Sequence, residues 1–248
     1  MHRNDLLQYL DDLLKVREIQ DYSLNGLQVE GRAEIRRIVL GVSACAELFQ
    51  FAAQTRADAV LVHHGLFWQG QDPRLWGPLR ERVRLLLQHD LNLFAYHLPL
   101  DKHPELGNNA VAARALGLRD WQPFLEVGIV GTCDGLSLEE LLHRAEELYG
   151  PLSERALIVR EGPGTIRKVA ILAGGGGKYV PEAIRLGVDL FLTGEAAEPA
   201  WNLVREARMH LVALGHHATE RVGVQALALH LAERLGLEAE FVDVPNPV

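Results

Sequence analysis

Two cysteines, Cys45 and Cys133, are all that this 248-residue chain contains, and neither belongs to a C-x-x-C. A disulfide framework and a thiolate zinc site are both excluded by that scarcity. No run of about 18 apolar residues exists to span a membrane. The opening "MHRNDLLQYLDDLL" sets Asp5, Asp11 and Asp12 among its leucines, the pattern of an amphipathic helix rather than a signal peptide. The expected location is the cytoplasm. An excess of positive charge is also missing: the formal net charge is −8, which argues against a general nucleic-acid surface. There is no G-x-S-x-G elbow, no G-x-G-x-x-G after the first strand and no H-E-x-x-H. Aromatics are few, and Trp68, Trp76, Trp121 and Trp201 lack the basic interleaving of single-strand binders, so core or interface roles are expected.

What is present is histidine. Eleven stand against the two cysteines, so any bound metal must be held by nitrogen and oxygen. The apolar fraction of 48% is ordinary for a globular protein with a full core.

The chain carries an internal duplication. "RRIVLGVSACAELFQFAAQTRADAVLVHHG" (36–65) aligns without a gap to "RKVAILAGGGGKYVPEAIRLGVDLFLTGEA" (167–196). Each copy has a basic pair, a short apolar strand (38–42, 169–173), a small-residue turn, a helical segment, and then Asp58 or Asp189 opening a second strand. That is a β-α-β unit twice over, with parallel strands and a right-handed crossover. The likeness extends to "LNLFAYHLPLD" (91–101) and "HLVALGHHATE" (210–220), each followed by a helix after a glycine. The expected fold is α/β, with two related β-α-β-containing halves and mixed or parallel sheets. Their extents are 1–124 and 125–248. In the second half, Ser137 and Glu140 fit a capping box.

Ligands of open α/β sheets gather at the carboxyl ends of strands. Four polar clusters fall there: His63-His64, His97 with Asp101, Gly194-Glu195, and His216-His217 with Glu220. Adjacent strand residues point to opposite faces, so His63 and His64 could simply cap a turn and face water. At a strand end closed by Gly65 both can also approach one site, one imidazole for each of two metals. His97/Asp101 and His216/Glu220 share a four-residue spacing that suits one face of a helical turn, although Pro99 makes a tight loop equally compatible with the first pair. Such a pair repeated in matching places of two halves favours metal ligation over coincidence. His97 can be a ligand, or can orient Asp101 or a water. The set His63, His64, Asp101, His216 and Glu220 supplies three nitrogens and two carboxylates. That is too few to close two tetrahedral sites without a bridge, and open positions suit catalysis. Zinc, iron, manganese, cobalt and nickel all accept such ligands. "AGGGGKYVPE" (173–182) is not a Walker motif, because position 172 is leucine and Tyr179 follows Lys178. It reads either as an anion loop or, preferentially, as a close strand-to-helix turn.

The succession "LVHHGLFW", "YHLPLD", "GNN", "TGE", "GHHATER", with "DYSLNGLQVEG" (21–31) before it, resembles the Nif-three-like dinuclear metal centre family over nearly the whole chain. Members are often described as homologues of GTP cyclohydrolase I type 2. The resemblance implies a Nif-three-like fold and two divalent ions held by His63, His64, Asp101, His216 and Glu220. It implies that Glu220 bridges, with His64 and Asp101 on one ion and His63 and His216 on the other. It also implies a homohexamer. The expected function is a dinuclear metal-dependent hydrolase of a small molecule, a nucleotide or phosphoester, with His97 or Glu195 moving a proton. The rival is a non-catalytic metal-binding assembly, metallochaperone or regulatory protein, favoured by the lack of a substrate-reading motif. Neither a nucleic-acid nor a membrane partner is expected.

Overall fold

A computed structural model describes residues 1–152 and 156–248. The chain begins α1 (Arg3–Leu13), β1 (Gly26–Val29), β2 (Arg37–Ser43), α2 (Ala46–Gln54), β3 (Ala59–His64), α3 (Gly77–Gln88), β4 (Asn92–Ala95) and α4 (Leu98–Asp101). It continues α5 (Asn108–Ala115), β5 (Arg119–Phe124), β6 (Gly128–Leu136), α6 (Leu138–Tyr149), β7 (Leu157–Arg160), β8 (Ile166–Leu172) and α7 (Val180–Arg185). It ends β9 (Leu190–Thr193), α8 (Ala200–Glu206), β10 (His210–Ala213), α9 (His216–Leu235) and β11 (Glu238–Phe241). Among the described residues no helix is long and apolar enough to cross a membrane.

Two compact units result. The first is Met1–His103 with Val224–Pro245, and the second is Pro104–Gly223 with Asn246–Val248. The linear division at 124/125 therefore falls inside the second unit, between the paired strands β5 and β6. The chain visits the second unit and returns, an exchange that a reading along the sequence does not reveal.

The first unit is built on a five-stranded sheet in the order β1-β4-β3-β2-β11. β11, β2, β3 and β4 run parallel, and β1 is antiparallel to β4. β3 and β4 are nearly continuous apolar runs because parallel strands are covered on both faces. Leu48, Phe49, Val60, Val62, Leu86 and Leu93 fill the core. The second unit has a six-stranded sheet in the order β5-β6-β8-β9-β10-β7. Here β8, β9 and β10 are parallel, while β5, β6 and β7 pair antiparallel. Leu141, Ala145, Ile166, Val169, Ile171 and Leu192 form its largest cluster. The Ser137–Glu140 capping box is present on α6, with both reciprocal hydrogen bonds made.

The duplication is visible in backbone detail. The Asp58 carboxylate accepts from the amides of Arg36 and Arg37, and Asp189 does the same for Arg167 and Lys168. Each aspartate thereby ties the start of one β-α-β strand to the start of the next. Beyond β3 and β9 the repeat is shifted by one residue from the sequence reading. Ala59 pairs with Asn92, and its counterpart Leu190 pairs with His210. In this register His97 matches Gly215 and Asp101 matches Thr219. The two four-spaced pairs are therefore neighbours in the repeat, not equivalents.

Candidate metal centre

The first unit brings four donors to the ends of β3 and β4. His63 is fully buried and His64 partly so. Although strand alternation separates neighbours, these two rings lie 4.7 Å apart between centroids at the strand end. His97, the residue before α4, lies 5.0 Å from His63 and 5.6 Å from His64. Candidate donor atoms of the three imidazoles fall within 4.8 Å of one another, a group able to hold a metal ion. Asp101 closes α4. Pro99 sits in the first turn of that helix, where its missing N–H leaves no bond unmade, so the short helix forms despite it.

Each imidazole is held through Nδ1. His63 Nδ1 lies 3.0 Å from the Tyr96 carbonyl, His64 Nδ1 3.1 Å from Ser43 Oγ, and His97 Nδ1 2.9 Å from Asp21 Oδ1. A carbonyl can only accept, so its hydrogen bond assigns the proton of neutral His63 to Nδ1 and the lone pair to Nε2. That Nε2 lies 3.5 Å from Asp101 Oδ2. A buried imidazole nitrogen facing a carboxylate oxygen suits either a shared proton or a metal ion. Asp101 is therefore beside His63. The reason is local: His63 and Asp101 are fixed by the same strand-end backbone, Nδ1 on Tyr96 and the helix starting at the next residues.

Asp21 and Asn25, for which the sequence suggested no role, anchor His97. Asp21 accepts from the His97 ring, the Ser23 and Leu98 amides and the Asn25 side chain. Burial would raise its carboxyl, but the hydrogen bonds from His97, Asn25 and Ser23 outweigh that and lower it to about 2. Asn25 Oδ1 also receives the His97 amide.

Within the second unit, His216 and Glu220 lie one turn apart at the start of α9. His216 Nε2 lies 3.2 Å from Glu220 Oε1, and its Nδ1 lies 2.5 Å from Glu195 Oε1. Burial pushes the imidazole down, yet bonding and charge from Glu220, then Glu195, outweigh it and raise it to about 9. Glu220 is 3% exposed. The glycine run lies against this pair. Gly174 has φ +68°, and a Cβ there would overlap Glu220 Oε1. Its amide donates to Thr219 Oγ1, and its carbonyl accepts from the Gly194 and Glu195 amides. The run is thus a close-approach turn around the carboxylate and the imidazole. His217 is buried, with its amide on the Val248 carbonyl. The "GNN" asparagines are framework: Asn109 bridges the Val127 carbonyl and the Ala173 amide, and Asn108 receives the Gly223 amide.

The chain has relatives of known sequence and structure along its whole length. A Haemophilus influenzae protein named GTP cyclohydrolase 1 type 2 homolog is 43% identical over 251 residues, covering 100% of both chains. The solved structure of protein ybgI matches with a TM-score of 0.94 at 41% identity over 100% of both chains. That of TTHA1606 from Thermus thermophilus matches at 0.90 and 36%, covering 100% of this chain and 99% of the other. The family model for Duf34/NIF3 (NGG1p interacting factor 3) matches residues 1–247, and this chain belongs to that family.

Proposed function

We propose that the chain is a metal-dependent hydrolase with a dinuclear centre ligated by His63, His64, Asp101, His216 and Glu220, acting on a nucleotide or phosphoester. The observation that carries this is the buried His63 Nε2 facing Asp101 Oδ2 at 3.5 Å, with the ring's other nitrogen committed to a carbonyl. In this reading His63, His64, Asp101, His216 and Glu220 would together hold the two ions. When bound, divalent zinc, iron, manganese, cobalt or nickel supplies Lewis acidity toward water and a substrate oxygen. Glu195 fixes the His216 ring through Nδ1. His97, oriented by Asp21, presents Nε2 for proton transfer at the reacting group. The name borne by the H. influenzae relative supports a nucleotide as substrate. We place the protein in the cytoplasm as a homohexamer, the assembly that the resemblance implies.

Metal analysis of protein purified without chelators, followed by assay of each metal form on nucleotides and phosphoesters, tests the reading. Two ions per chain and metal-dependent turnover are expected, with His64→Ala losing both. Absence of turnover with every metal sinks the hydrolase. Rapid release of bound metal to an acceptor, without turnover, would mark a metal-delivery protein instead.

A further inference from the structure

Tyr22 and Trp68 are not core residues. The apolar core of the first unit is filled by others, and Tyr22 is 56% exposed. Their rings lie 5.5 Å apart, tilted by 32° between planes. Both stand edge-on to His97 at 5.1 Å, with interplanar angles of 73° and 77°. Trp68 also lies 6.0 Å from His64. A tilted ring pair, Tyr22 exposed and Trp68 half-buried, therefore borders the imidazole cluster directly.

The ring pair is tied to the surrounding backbone at several points. Ser23 and Trp68 form an antiparallel bridge, flanked by the Leu24 amide on the Phe67 carbonyl and the Gln69 amide on the Tyr22 carbonyl. The indole Nε1 donates to the Gly65 carbonyl at 3.1 Å, which fixes the ring plane. The Gln28 side chain receives the Leu66 amide, tying the same loop to β1. An exposed tyrosine packed on a fixed indole gains little for folding, yet gives a preorganised face to a flat ligand.

We propose that Tyr22 and Trp68 form a stacking platform for the heteroaromatic base of a nucleotide substrate, next to the imidazoles that hold the metal. The proposal rests on the nucleotide-hydrolase reading above and names the element that would select its substrate. Aromatic stacking accepts any base, because every base has a π-face. This explains how a chain without a recognisable guanine-reading motif can still prefer nucleotides over simple phosphoesters.

The test is calorimetric titration of the metal-loaded full chain with GTP and with inorganic tripolyphosphate, which has the phosphates and no base. GTP should bind more tightly than tripolyphosphate to the wild-type chain. Trp68→Ala and Tyr22→Ala should each weaken GTP binding about 5- to 150-fold. Tripolyphosphate binding should be unchanged, and Trp68→Phe and Tyr22→Phe should retain GTP. Wild-type GTP affinity in both alanine variants overturns the platform. So does a parallel loss of tripolyphosphate binding, which would reduce the rings to supports of the ligands. Turnover of phosphoesters with GTP bound no better than tripolyphosphate sinks the platform and leaves the hydrolase. Base-dependent binding without turnover does the reverse.

Discussion

Asp21 shows how much a single side chain can organise. That side chain is 2% exposed, and it fixes the His97 ring and the first amide of α4 together. Its carboxyl titrates at about 2 in the folded chain, against an ordinary 3.8. A depressed folded value means stability that is fully present above about pH 4 and is lost as pH falls toward 2. The shift corresponds to roughly 2 kcal/mol. Asp21→Asn should therefore lose that component: in urea unfolding between pH 4 and 2, the wild type should fall more steeply than the variant by about this amount. Parallel pH profiles for the two would refute the assignment. The candidate ligands themselves were legible in the sequence, because histidines and acids at strand ends are chemically conspicuous. Asp21, Ser43 and Asn25 were not, since each is an ordinary loop or strand residue until folding brings it to its histidine. Asp21 and His97 are 76 positions apart, and no local pattern links them. The neighbours of Trp68 were hidden for a related reason. Its expected core or interface role followed from composition, whereas its mounting beside His97 depends on a bridge to Ser23.

At the scale of elements, the strand-to-helix turn after β8 was correctly preferred as a packing device, but what it packs against was invisible. Gly174 combines a left-handed backbone with contact on Glu220. Gly187 also has positive φ, at +62°, but a Cβ there would meet nothing within 4 Å. The pair separates backbone strain from ligand displacement. Each alanine substitution should cost about 1–2 kcal/mol from the left-handed conformation. Only Gly174→Ala should also lower metal affinity, by about 10–100-fold, the scale on which displaced ligand supports act. Thermal unfolding of the metal-free proteins and metal titration of both variants check the two parts separately. Equal metal affinity in the two variants would show that Gly174 does not shape the site. The repeat was readable up to the second strand because apolar runs and Asp58/Asp189 align without a gap. It slipped by one residue afterwards because α3 and α8 differ in length, which leaves nothing in the sequence to fix the register.

For the whole molecule, the alternation of strands and helices was enough to give the α/β class, but not the path of the chain between units. Hydrophobic periodicity records that a segment is buried, without recording in which core. α5 and the turn after it illustrate this: Ala112, Ala113, Leu116 and Leu118 belong to the second unit's core, though they precede the 124/125 division. β11, at the far end of the chain, belongs to the first unit's sheet beside β2. Cutting at 124/125 should therefore damage both products. A fragment of residues 125–248 loses β5 from its sheet and these four residues from its core. Truncating a single buried leucine typically costs about 2–5 kcal/mol, so losing Leu116 and Leu118 with their helix exceeds the total stability of an ordinary domain once α5 is counted. A fragment of residues 104–248 keeps every described member of that core and all six strands of its sheet. It should unfold cooperatively in urea with dispersed amide resonances, while the 125–248 fragment should show neither. Cooperative folding of residues 125–248 would restore the linear division and contradict the shared core.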